Sequence, residues 1–83
     1  MADFLFTAKY VDEDFKIVRY YILEETDDMY LTVTREGEAI TFPNIITQIA
    51  FTELDAILAL INSYSNSLFK QRQMQNVYDR KYR

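Results

Sequence analysis

Two hydrophobic periods divide this chain. From Phe4 to Pro43 the side chains alternate with a period of two, and from Thr52 onward apolar residues recur at helical spacing. Strands joined by short turns and then a helix describe an α+β fold, built as an antiparallel meander with a helix after it. Residues 4–11 set Phe4, Phe6, Ala8 and Tyr10 on one side and Leu5, Thr7, Lys9 and Val11 on the other. Asp12-Glu13-Asp14 is a turn signal, because short acidic residues favour loops over ladders. Residues 15–24 carry apolar bulk on both faces, which predicts a central strand covered at least in part on each side. Glu25-Thr26-Asp27-Asp28 marks the next turn, and a third strand is expected over 29–35. Glu36-Gly37 suits a two-residue hairpin loop, Gly supplying the positive φ such turns need. A fourth strand over 38–43 turns Ile40 and Phe42 inward and ends at Pro43. Residues 44–51 read either as a fifth short strand or as a crossover to the helix.

Thr52 stands where an N-cap belongs, with Glu53 and Asp55 in the first turn, where the helix dipole favours negative charge. Leu54, Ile57, Leu58, Ile61 and Leu68 form a stripe that should pack on the sheet, giving a helix over about 53–68. Beyond Leu68 the phase changes. The same stripe would bring Gln71, Arg72, Gln75 and Asp79 inward, and none of these is apolar. A second stripe, Met74, Val77 and Tyr78, begins roughly 240° around from Leu68 at about 100° per residue. The helix therefore either bends near Ser63–Ser67 or runs past the core and buries a different face. The expected organisation is one α+β domain over 1–69, with four or five strands, and a basic helical arm over 70–83.

A chain of 83 residues buries a modest share of its surface, so its stability margin is thin. It has neither Cys nor His, so no disulfide or cysteine-metal site adds to that margin, and oligomerisation is an attractive source of further burial. The absence of Cys, the lack of a signal-like start and the lack of a long apolar run point to a cytoplasmic protein with no membrane span. The net charge of −4 hides a division. Residues 1–69 carry twelve acidic and four basic side chains, whereas residues 70–83 carry five basic and one acidic.

Catalysis is poorly provided for. The commonest general base and the thiol nucleophile are both missing, and Gly37 is the only glycine, so no glycine-rich phosphate loop can form. No catalytic residue, cofactor or metal ligand is assigned. The acidic turns are expected to meet at one end of the meander, Asp12, Glu13 and Asp14 beside Glu36 and Glu38, as a surface for a basic partner. The arm offers Lys70, Arg72, Arg80 and Lys81 together with Met74, Val77 and Tyr78, a mixture that favours a protein contact over a purely electrostatic one. It could dock on a second copy and set its positive charge against that copy's acidic turns, as a homodimer would.

The expected function is thus a non-enzymatic protein-interaction module, a small acidic regulatory, inhibitory or accessory factor. Lys9, Tyr10, Lys16, Arg19, Tyr20, Tyr21, Tyr30 and Arg35 supply the alternative, a sheet face on which the bases of single-stranded nucleic acid stack. Four strands followed by one helix is similar in topology to the coactivator-type single-strand-binding domains, which dimerise through their helices; no residue motif accompanies the likeness. The acidity of residues 1–69 opposes phosphate binding.

Overall fold

The alternating half of the chain forms a five-stranded antiparallel sheet, as a computed structural model of residues 3–44 and 49–83 describes it. Its strands are β1 (Phe4–Val11), β2 (Asp14–Glu25), β3 (Met29–Val33), β4 (Ala39–Pro43) and β5 (Ile49–Ala50), in the spatial order β4-β3-β2-β1-β5. The first four make the expected meander with β2 at its centre. The fifth pairs with β1 on the far edge, Phe6 opposite Ala50 and Thr7 opposite Ile49. Residues 45–48, part of the stretch read as strand or crossover, lie outside the described residues.

Local chemistry sets the turns. Asp12 and Glu13 close the β1–β2 hairpin with φ of 53° and 59°, the left-handed pair that a two-residue hairpin of this twist requires. Gly37 takes the same region with φ 89° in the β3–β4 turn, where its N–H donates to the Thr34 carbonyl at 2.9 Å. At the other end the Thr26 hydroxyl accepts from the N–H groups of Asp28 and Met29, folding the β2–β3 turn onto one side chain. Between Ile22 and Glu24 the register with β3 slips, so Leu23 is an extra residue extruded from the ladder.

The sheet carries buried residues on both faces. Ala8 and Phe15 pack with the helices on one face, together with the half-buried Phe6, Tyr10, Ile17 and Ala50. On the opposite face Leu5 and Thr32 are fully buried, the Thr32 hydroxyl donating to the Ile40 carbonyl at 2.7 Å. Edge-on ring pairs hold that second face, Tyr20 with Phe42 at 4.8 Å and Tyr30 with Phe51 at 6.1 Å. The apolar bulk on both sides of residues 15–24 has this double packing as its cause.

The helical half differs from expectation in one respect. It forms two helices, α1 (Glu53–Ser63) and α2 (Leu68–Tyr82), in place of one helix over 53–68 and an arm. Thr52 caps α1 as its position suggested, its side chain accepting the Asp55 N–H at 3.1 Å. Ala56, Ile57, Leu60 and Ile61 are its buried residues, whereas Leu54 and Leu68 of the expected stripe are exposed. The break falls in Ser63-Tyr64-Ser65-Asn66-Ser67, where short polar side chains compete with the helical ladder. The Tyr64 N–H turns back to the Ile61 carbonyl at 3.2 Å, and the Ser67 N–H to the Tyr64 carbonyl at 2.9 Å.

After this break α2 packs back onto α1. Met74 is fully buried and Val77 nearly so, in the same cluster as Ala8, Phe15 and Ile57. The Gln71 side chain donates to the Ile61 carbonyl at 3.1 Å, a second donor to the oxygen that already accepts the Tyr64 N–H, and so ties α2 to the end of α1. Residues 70–83 are thus a second packed helix, and the change of phase at Leu68 is the record of the break. Among the described residues no helix is long and apolar enough to cross a membrane.

Candidate interaction surface

Packing gives α2 two unlike faces. Its inner face carries Gln71, Met74, Val77, Tyr78 and Lys81. Lys81 pairs with Asp14 beside the tip of the β1–β2 hairpin, and this partner holds the Asp14 carboxyl below its ordinary value, aided by the Phe15 N–H at 2.8 Å. The Lys70 ammonium lies 6.0 Å from the centre of the Tyr10 ring. Lysine side chains thus brace the helix near each end.

The outer face has different content. Leu68 is 63% exposed and Phe69 82%, the highest exposure of any large apolar side chain among the described residues. With Arg72, Gln73 and Asn76 they line a shallow groove of about 490 Å³. Arg80 lies one turn beyond Asn76. Among the described residues neither Arg72 nor Arg80 enters an ion pair, since the pairs are Lys81 with Asp14 and Arg83 with Asp79. An apolar end followed by two unpaired guanidinium groups suits a partner that is itself apolar and acidic.

The other candidates are scattered. Asp12 and Glu13 are exposed at the hairpin tip, but they do not meet Glu36 and Glu38. Tyr21 of β2 is opposite Val33, so the β3–β4 turn reaches only the level of Val18 and Arg19, and Glu36 shares a shallow depression there with Ile17, Arg19 and Arg35. The β1–β2 hairpin runs on for four or five residues, roughly 15 Å at about 3.3 Å per residue. The expected five-carboxylate surface is therefore two separate turns. Met74 and Val77, read as partner contacts, lie in the core, and Tyr78 stacks beside Tyr82 at 5.6 Å. Among the described residues no group of three acidic side chains is placed to hold a metal ion.

The aromatic residues do not share one platform either. Tyr20 and Tyr21 stand on opposite faces of β2, Tyr10 packs against the helical core, and Tyr20 and Tyr30 each meet a phenylalanine ring. Burial next to the Glu25 carboxylate raises the Tyr30 hydroxyl above its ordinary value. Of the tyrosines read as a stacking face, Tyr21 alone is largely exposed, with its ring 4.6 Å from Phe4 and Arg19 over the far ring. Leu68 and Phe69 were missing from the candidate residues. The signal for them was present, because with Met74 facing inward Phe69 falls about 140° away at 100° per residue. Comparison with known proteins finds no match: no family model, curated protein or solved structure is similar to this chain.

Proposed function

We propose that this chain is a non-enzymatic protein-interaction module that presents the outer face of α2 to an acidic, partly apolar protein surface. The exposure of Leu68 and Phe69 carries the reading. Two adjacent large apolar side chains held in water on a helix cost free energy that burial in a contact recovers, at roughly 25 cal/mol per Å² of apolar surface. Arg72 and Arg80 continue the same face and supply donors that no acidic side chain among the described residues pairs with. The absence of His and Cys from the sequence supports binding over acid–base or thiol chemistry. The nucleic-acid alternative loses its main support with the division of the tyrosines between two faces.

A photo-crosslinking phenylalanine analogue at position 69 tests the proposal in cells producing the protein. Position 69 should give a protein adduct, the exposed position 62 at the end of α1 should not, and Arg72→Glu/Arg80→Glu should remove it. Equal adducts from 69 and 62, or none from 69, would overturn the reading.

A further inference from the structure

The outer face of α2 has a counterpart on the same molecule. Three large apolar side chains are exposed where β2 passes into β3: Tyr21 (54%), Leu23 (60%) and Met29 (41%). Tyr21 and Met29 share the helix-bearing face of the sheet, since Tyr21 opposes Val33 and Met29 follows Val33 in phase along β3. The helices cover the β1 side of that face and leave this corner open. The bulge extrudes Leu23 beside it. Glu24, Glu25, Asp27 and Asp28 edge the patch, and all four are exposed. One surface is thus apolar with cations, the other apolar with anions.

We infer that the occupant of the α2 outer face is a second copy of this chain, docked through its Tyr21–Leu23–Met29 corner. This rests on the interaction-module reading and adds the identity of the partner. Arg72 and Arg80 would lie against Asp27 and Asp28, while Leu68 and Phe69 cover Leu23 and Met29. Both halves of the contact are present on every chain, so two copies related by a twofold axis make it twice. The β1–β2 tip is the weaker counterpart. Its Asp14 is already engaged by Lys81 of the same chain, and beside its acidic residues Val11 is the one exposed large apolar side chain among the described residues, against three at the corner.

Sedimentation equilibrium with a charge-swap pair tests this. The wild-type chain should form a dimer, or a larger closed assembly, at about 100 µM, a concentration that detects micromolar association. Arg72→Glu/Arg80→Glu alone and Asp27→Lys/Asp28→Lys alone should each weaken association by at least about tenfold. An equimolar mixture of the two should associate again, because each reversed surface meets a reversed partner, and that recovery also shows both variants to be folded. The Asp27 and Asp28 groups that hold Asn44 are backbone carbonyls, so the second variant leaves those bonds in place. A wild-type chain that stays monomeric, or a mixture that stays dissociated, would overturn the self-docking. A position-69 adduct to a different protein would then still uphold the interaction module.

Discussion

The two helices of this protein follow one another in sequence and obey different rules. α1 has a side-chain cap, two acids in its first turn and four buried residues within eleven. α2 has no side-chain cap bond and no acid in its first turn, carries Lys70 there, and buries two residues within fifteen. By propensity and capping α2 is the poorer helix. It is held from outside by Met74 and Val77 in the core, Gln71 on the end of α1 and Lys81 on Asp14. A helix fixed by so narrow a stripe leaves most of its surface unused by the fold. That freedom leaves Leu68, Phe69, Arg72 and Arg80 available for the contact proposed above.

Core truncation should separate the two helices most strongly. Ile57→Ala and Met74→Ala should each cost about 2–5 kcal/mol in urea denaturation, as large-to-small changes at fully buried positions do. Their patterns should differ. Ile57→Ala should weaken the sheet and both helices together, while Met74→Ala should speed amide exchange in α2 well before α1. Uniform exchange in Met74→Ala would mean that α2 and α1 open as one unit.

Capping offers a smaller contrast. Thr52→Ala should lower stability by about 1 kcal/mol, since the Asp55 N–H loses its acceptor. Ser67→Ala, at the corresponding position of α2, should change the urea midpoint far less, because no cap bond is lost. Equal losses would show that Ser67 contributes in a way its geometry does not suggest.

The smallest effect is electrostatic and depends on pH. The Asp14 carboxyl is depressed in the folded chain, so its contribution is fully present above the ordinary carboxylate value of 3.8 and fades as pH falls through the lower folded value. Amides in the last turn of α2 should therefore lose protection in acid, measured against the intrinsic exchange rate at each pH. Lys81→Ala should move the Asp14 titration, followed by NMR, back toward 3.8, with the Phe15 N–H retaining part of the shift. An unchanged titration would remove Lys81 from the anchors of α2.

Much of the fold could be read from residue order. Alternation located the strands, Gly37 and the acidic pairs located the turns, and Thr52 located the start of α1. Two things could not be read in that way. The slip between Ile22 and Glu24, with the long reach of β2 past β3, is a matter of register, which depends on pairing across the sheet. The long reach of β2 holds Glu36 and Glu38 away from Asp12–Asp14, although the slip itself carries the β3–β4 turn one residue nearer to them. The break at Ser63–Ser67 was half legible. The phase of Met74, Val77 and Tyr78 marked a change of face, but only packing decides whether that face turns inward to its own core or outward to a partner. The basic residues do fall on the last helix, while the face proposed above for binding lies on the opposite side from the apolar stripe that suggested it.

The division of α2 into a structural and a binding face is tested most directly by the urea midpoint of Phe69→Ser, measured beside the wild type over a range of protein concentrations. Association stabilises the folded state by mass action, so the wild-type midpoint should rise with concentration. The midpoint of Phe69→Ser should stay flat, at the value the wild type reaches when dilute. A variant midpoint well below that dilute value would make Phe69 part of the fold, and a variant that kept the wild-type concentration dependence would show that the outer face does not bind.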